Sequence, residues 1–124
     1  MTYISLGNYV KAAECQQQSL AIAKEVGDRR GESSSLAGLG NMATYTGQYA
    51  EAIKLYERSL AISQDIQDLR GEATSLGSLG SAHDAIGNYE VAIGYHQQHL
   101  DIAKAIGDRD GEATALGALG NTFL

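Results

Sequence analysis

Apolar residues recur along the chain at the spacing of helices. Leu76 and Leu79 lie three residues apart, and after a short polar break Ala92 and Leu100 continue the pattern. Such positions share one face of an α-helix, whereas strands alternate every second residue. Gly87 lies in the break, where glycine can end a helix in the left-handed conformation. The pattern predicts two amphipathic helices joined by a tight turn.

This helix pair is repeated, because a shift of 40 residues superimposes the sequence on much of itself. Matching sets include Gly7, Gly47 and Gly87; Leu20, Leu60 and Leu100; Asp28, Asp68 and Asp108; and Leu36, Leu76 and Leu116. The predicted helices span 9–26, 29–46, 49–66, 69–86, 89–106 and 109–124, and residues 1–6 form the last turn of a preceding helix. The predicted array over 1–124 consists of partial unit 1–27, full units 28–67 and 68–107, and partial unit 108–124.

Capping signals mark where these helices begin. Asp68 is a good N-cap for a first helix, and Glu72 places negative charge in the first turn, where the helix dipole favours it. Asn88, directly after Gly87, can cap the following second helix. Arginines stand beside the aspartates at the junctions, and charge pairing along that edge is the interpretation we favour for them.

Glycine also recurs inside the predicted first helices, at Gly40, Gly80 and Gly120. Each one costs about 0.5–1 kcal/mol relative to alanine. We therefore expect a neighbouring helix to pack against bare backbone there. No single helix pair can bury its apolar face, so stacked pairs must share one core. The predicted fold is all-α, an α-solenoid of about three repeats.

The repeat resembles the tetratricopeptide repeat (TPR) over the whole chain. The resemblance rests on Leu76, Leu79-Gly80, His83, Ala92, His96 and Leu100, and on their counterparts in the preceding unit. The usual period is about 34 residues, and the usual proline is replaced by Lys24, Gln64 and Lys104. This longer form is similar to the repeats of Pins-type regulators, kinesin light chains and bacterial signalling arrays. HEAT repeats have periods near 40 but lack the Leu-Gly…Ala spacing.

The resemblance implies a non-catalytic scaffold that binds a peptide or a protein on the concave surface of the first helices. It implies a peptide-binding set comprising Asn41, Thr44, Tyr45, Gly77, Ser81, Asp84, Gly117 and Asn121. An asparagine can donate to and accept from one peptide unit. The alternative is that these are small solvated residues. A carboxylate clamp would need basic residues where Ala37, Gly77 and Gly117 stand, so we do not expect one.

Composition narrows the class of partner. The 124 residues include 9 Lys and Arg against 15 Asp and Glu, a net charge of −6. This charge weighs against nucleic acid or an anionic membrane as the partner. We see neither a membrane span nor a signal peptide. The single cysteine, Cys15, excludes an internal disulfide and fits a reducing, cytoplasmic compartment.

Three histidines are the remaining candidates for chemistry. His83, His96 and His99 could together bind Zn²⁺. His83 and His96 stand where the family has aromatic residues, so we prefer packed, hydrogen-bonded imidazoles. Cys15 has no histidine in its unit, and the Gly-x-Gly pairs lie within helices rather than after strands. We expect no catalytic site, no cofactor and no metal.

The two ends suggest an alternative function. The unit of helix 109–124 has no second helix, which leaves Leu116, Leu119 and Phe123 uncovered, and helix 9–26 has no complete first helix. An open solenoid end exposes apolar core. We therefore expect either a homo-oligomer formed through the terminal helices or a fragment of a longer array.

Overall fold

A computed structural model describes residues 6–124, which form six helices. They are α1 Leu6–Val26, α2 Arg29–Tyr45, α3 Tyr49–Asp65, α4 Leu69–Ala85, α5 Tyr89–Ala105 and α6 Arg109–Phe123. These bounds confirm the predicted helices to within three residues. The expected helix fragment 1–6 falls outside the described residues except for Leu6, which is the first residue of α1.

Aspartates begin the first helices as predicted. The side chains of Asp28, Asp68 and Asp108 accept hydrogen bonds from the backbone N–H groups of Gly31, Gly71 and Gly111, at 2.9, 3.1 and 3.0 Å. An alanine Cβ at Gly71 would lie 2.6 Å from Asp68 Oδ2. The glycine three residues after each aspartate therefore makes room for the capping carboxylate.

The turns between paired helices are closed by backbone hydrogen bonds, and at the α2–α3 turn the Thr46 hydroxyl also bonds to the Met42 and Ala43 carbonyls. Gly87 has a φ of +81°, which confirms its predicted role as a left-handed cap. The prediction for Asn88 was wrong in part: the residue occupies the N-cap position of α5, but its side chain makes no capping hydrogen bond. Its amide nitrogen lies 3.3 Å from His83 Nδ1, so the side chain reaches back to α4 instead.

Each helix packs against the next along the chain, and short turns make neighbours antiparallel. The first helices α2, α4 and α6 also contact one another across repeats, whereas the second helices α1, α3 and α5 do not, within residues 6–124. The array therefore curves with the first helices on its inner side. The structure is the predicted all-α solenoid, with a core that includes Leu36, Ala52, Leu55 and Tyr56 of α2 and α3 and Leu79 of α4.

Close helix approach occurs at two of the three predicted glycines. An added Cβ at Gly40 would lie 2.6 Å from the Tyr56 ring, and one at Gly80 would lie 2.5 Å from the His96 ring. The prediction was wrong for Gly120, which has no such atom within 4 Å. The reason is that the covering ring comes from the following second helix, and the described residues 6–124 include no helix after α6.

Candidate binding surface

A cavity of about 540 Å³ opens on the inner side of the array, between α2, α4 and α6. Its lining is rich in small and hydroxyl-bearing residues, among them Thr44, Thr74, Gly77, Ser78, Ser81, Ala82, Ala85, Thr114 and Ala118. Aromatic and ionisable residues complete it: Tyr49, Tyr56, His96, His99 and Asp108. Small or hydroxyl-bearing side chains therefore make up most of the cavity wall.

The predicted binding residues are divided between this cavity and its surroundings. Thr44, Gly77 and Ser81 line the cavity, whereas five others lie outside its lining: Asn41, Tyr45, Asp84, Gly117 and Asn121. Tyr45 stacks on Tyr9 of α1 with ring centroids 5.4 Å apart, so it is held against the preceding helix. Asn121 and Gly117 are exposed on α6.

In the first helix pair, the Tyr56 hydroxyl connects two polar side chains of α2. Its hydroxyl donates to Asn41 Oδ1 at 2.6 Å and lies 3.2 Å from Thr44 Oγ1, which itself donates to the Gly40 carbonyl. Burial raises the pKa of Tyr56 above its ordinary value, so the phenol stays protonated. The Asn41 carbonyl is thus committed within the repeat, and its amide NH₂ is the group suited to a ligand.

In the second pair, His96 takes the place of Tyr56. Its ring is 1% exposed, and Nε2 donates to Asp84 Oδ2 at 3.1 Å. Asp84 also accepts from the Thr122 hydroxyl of α6, at 2.9 and 3.0 Å. Asp84 therefore links α5 and α6 and is an internal tie within the array. Sequence reasoning placed His96 correctly as a packed imidazole but missed its partner.

His99 forms the floor of the cavity beside Gly77. The ring is 9% exposed, and an added Cβ at Gly77 would lie 2.8 Å from His99 Nδ1. Burial lowers the pKa of His99, and neighbouring His96 lowers it further, while Asp108 acts in the opposite direction. The cavity therefore presents a neutral imidazole near pH 7. The sequence signal that could have revealed this position of the His99 ring was a glycine, Gly77, where the preceding unit has Ala37.

The equivalent region of the first pair is filled by buried serines. Ser33 and Ser59 exchange hydrogen bonds with each other's backbone carbonyls, at 3.0 and 2.9 Å. Ser63 lies 3.1 Å from Ser33 Oγ, and Ser75 of α4 lies 3.3 Å from Ser59 Oγ. This serine cluster satisfies its hydroxyls internally and joins α2, α3 and α4.

A second cavity, of about 640 Å³, lies between α1, α2 and α3. Its lining includes the large side chains of Tyr9, Leu20, Leu39, Met42 and Leu55. The equivalent place in the next pair is occupied by a stack of His83 on Tyr95, with centroids 5.5 Å apart. Smaller residues, Ala43 and Leu55, leave the space open here.

No three His, Cys, Asp or Glu side chains come together in a metal-binding arrangement among residues 6–124. His83 is turned towards Tyr95 and Asn88. Within the same residues, no helix has the length and apolar character needed to cross a bilayer.

The comparisons with known proteins agree with this geometry. The tetratricopeptide repeat model matches residues 1–65 and, in an overlapping match, residues 33–105. The chain belongs to the tetratricopeptide repeat family. TPR arrays generally mediate protein–protein interactions and are generally non-catalytic scaffolds. No curated protein matches the sequence.

Solved structures show the same fold. One is the crystal structure of nearly identical TPR-like repeats from a Podosopora anserina kinesin light chain, and another is its Q17M variant. Each has a TM-score of 0.79 and 20% sequence identity, over 94% of this chain. The chain spans 58% of the length of those structures. At this identity the likeness concerns the fold alone.

Proposed function

We propose that this TPR chain is a non-catalytic scaffold that binds an extended segment of a partner protein along the inner surface of α2, α4 and α6. The observation that carries the proposal is the cavity of about 540 Å³ lined by small and hydroxyl-bearing residues. Asn41, Thr44, Ser81 and Asn121 are the side chains that would bind the ligand backbone. Gly77 and Gly117 would allow its close approach.

The groove chemistry favours a ligand held through its backbone over one held by a terminal carboxylate. Ala37, Gly77 and Gly117 occupy the positions where a carboxylate clamp needs basic residues. Asp84 is hydrogen-bonded to His96 and Thr122, and Asp108 caps α6, so both carboxylates already have partners within the chain. Recognition would then rest on shape and on neutral hydrogen bonds.

The test starts from peptides selected against the folded chain by display. Ser81→Trp should fill the cavity and weaken binding of a selected peptide at least tenfold, since Ser81 is exposed on the cavity wall. Asn41→Ala with Asn121→Ala should weaken it less. Lys54→Trp and Lys54→Ala are matched controls on the exposed face of α3. Equal losses in the controls would refute the inner-surface site.

A second candidate function is self-assembly through the terminal helices. Ile22 of α1 is 59% exposed, whereas its repeat equivalent Ile62 is 6% exposed. Leu116 of α6 is 51% exposed, whereas Leu76 is 1% exposed. The two ends thus present uncovered core faces of opposite type. A solution mass that rises with concentration would support this function, and a constant monomer mass would exclude it.

The cysteine content and the net charge bear on where the protein acts and what it binds. We infer a reducing, cytoplasmic setting because Cys15 is a free and exposed thiol. The net charge of −6 continues to favour protein partners over nucleic acid or membranes.

We also propose that the array is built from the units 1–27, 28–67, 68–107 and 108–124.

A further inference from the structure

The cavity of about 640 Å³ between α1, α2 and α3 has an equivalent place one repeat later, and two rings fill that place. His83 and Tyr95 stack there with their centroids 5.5 Å apart. The first pair has Ala43 and Leu55 at these positions, and both line the cavity. Each of the three bounding helices has its equivalent in α3, α4 or α5. The two places therefore differ in their side chains and not in the number of helices around them.

Two further lining positions carry smaller residues than the next repeat. Ala13 of α1 stands where α3 has Ile53, and Thr46 stands where the next turn has Ile86. The Thr46 hydroxyl donates to backbone carbonyls at the end of α2, so it leaves no unpaired polar group in the wall. The resulting volume lies within the range of about 300–1,000 Å³ that is typical of ligand pockets.

We propose that this cavity binds an aromatic side chain of a partner protein, with one acidic and one basic residue flanking the ring. The stacked rings of the next repeat show that this helix geometry accommodates flat groups. The cavity shares no lining residue with the inner cavity between α2, α4 and α6. It is therefore a second site, separate from the groove of the proposed function.

The walls that remain suit an aromatic ring. Tyr9 offers a ring of its own, and aromatic pairs gain from offset or edge-to-face contact. Met42 is larger than its equivalent Ala82, and a thioether packs favourably at the edge of a ring. Val10, in place of Ala50, adds an apolar edge that is half exposed.

Charges of opposite sign lie on α3 beside the cavity. Glu51 and Arg58 are exposed lining residues, whereas the next repeat has Val91 and Gln98 at these positions. Neither charge forms an ion pair among residues 6–124. Seven residues of helix separate them by about 10 Å, which an extended peptide covers in about three residues. A basic residue facing Glu51 and an acidic residue facing Arg58 would therefore flank the bound ring.

N-acetyl-tyrosinamide is the probe for the ring, and its binding is followed by the backbone amide resonances of the isotope-labelled 124-residue chain. We expect binding in the millimolar range, with the largest shifts at Leu39, Ala43 and Leu55. N-acetyl-leucinamide should bind about threefold more weakly or worse, because it lacks the ring. No shift at these residues, or equal binding of the two amides, would overturn the proposal.

Variants that fill the cavity test its position. Ala43→His with Leu55→Tyr copies the filled site of the next repeat, and Ala13→Ile narrows the cavity from α1 with the residue found at positions 53 and 93. Both should remove binding of N-acetyl-tyrosinamide, with circular dichroism as the check of folding. Ser81→Trp fills the inner cavity instead and should leave this binding unchanged. Binding that survives in the two filled variants, or is lost in Ser81→Trp, would overturn the proposal. Neither result decides whether a peptide binds in the inner groove.

A pentapeptide tests the flanking charges. It has tyrosine at its centre and aspartate and lysine at its ends, in either order, and is compared with a version that has serine at both ends. The better charged order should bind about three- to tenfold more tightly at low ionic strength. Glu51→Val with Arg58→Gln, which copies the next repeat, should remove this advantage and leave N-acetyl-tyrosinamide binding intact. An advantage that persists in this variant, or is absent in the wild type, would overturn the assignment of the flanking charges.

Discussion

The two complete helix pairs share one backbone plan but fill it with different polar groups. The pair α2–α3 contains Ser33, Ser59 and Ser63, whereas α4–α5 has Ala73, His99 and Ala103 at the equivalent positions. The serines are joined in one hydrogen-bonded cluster, whereas His99 is a single large ring beside a glycine. The same helix crossing is therefore filled by small hydrogen-bonded residues in one pair and by one large ring in the other.

The matched changes extend to the rings that cover the glycines. Tyr56 over Gly40 bonds to Asn41 and Thr44 of its own pair, whereas His96 over Gly80 bonds to Asp84 and, through it, to Thr122 of α6. The second pair is therefore tied to the helix that follows it through its ring, whereas the first pair reaches α4 through the contact of Ser59 with Ser75. We expect a polar substitution at Asp84 to affect both α5 and α6.

The largest effect should come from filling a covered glycine. Gly80→Ala would place a Cβ 2.5 Å from the His96 ring, which is buried and cannot yield freely. We expect a loss of about 1–3 kcal/mol in the free energy of unfolding. Gly120→Ala is the matched control, because the same phase on α6 has open space. It should instead stabilise by about 0.5–1 kcal/mol.

Urea unfolding followed by circular dichroism gives the free energy of unfolding of both variants. Changes in unfolding free energy of opposite sign for Gly80→Ala and Gly120→Ala would confirm that contact with the His96 ring, and not helix propensity, decides the effect at Gly80. If both alanines stabilise the chain, the close approach at Gly80 is wrong.

The next largest change in stability is expected at Gly77, which packs against His99. Gly77→Ala alone should destabilise by about 1–2 kcal/mol, because its Cβ would meet His99 Nδ1 at 2.8 Å. In a His99→Ser background, which copies Ser59 of the first pair, the same alanine should instead stabilise the chain by about 0.5–1 kcal/mol, as at Gly120. A double-mutant cycle isolates this coupling. A coupling near zero would mean that the two positions changed independently.

Most of the fold follows from sequence, because the 40-residue period gives helix phase directly. Capping by Asp68 and the cover of Gly40 and Gly80 were predicted because they depend on local spacing. The tie from Asp84 to Thr122 was not, since it joins residues in different repeats whose side chains differ from unit to unit. The family resemblance, and not the phase, suggested Thr44, Gly77 and Ser81 as binding residues; they line the inner cavity, and their role in binding stays a prediction. The floor formed by His99 depends on three-dimensional packing.

A smaller effect is expected at the junction between the two pairs. Gln67 has a φ of +58°, whereas the equivalent Gly27 and Gly107 have +75° and +72°. A side chain in this left-handed region costs about 1–2 kcal/mol relative to its usual conformations, and glycine avoids that cost. Glycine also has more conformational entropy in the unfolded chain, which offsets part of this gain, so Gln67→Gly should stabilise the chain by up to about 1 kcal/mol. An unchanged urea midpoint would show that the strain is relieved by other contacts.

The smallest expected effect is on how the unfolding free energy depends on pH, which should differ between the two helix pairs. Burial holds the pKa of His99 below its ordinary value of 6.5 in the folded chain, with His96 adding to the shift and Asp108 opposing it. The unfolded chain then binds more protons than the folded chain as the pH falls below 6.5, so stability decreases through that window and levels off below the folded-state pKa. His99→Ser should remove this part of the pH dependence, whereas Ser59→Ala should leave the slope unchanged, because a hydroxyl does not titrate here. Unfolding free energies measured from about pH 5 to 7.5 compare the slopes. Identical slopes for wild type and His99→Ser would show that the ring is not desolvated, and that the cavity floor is open to water.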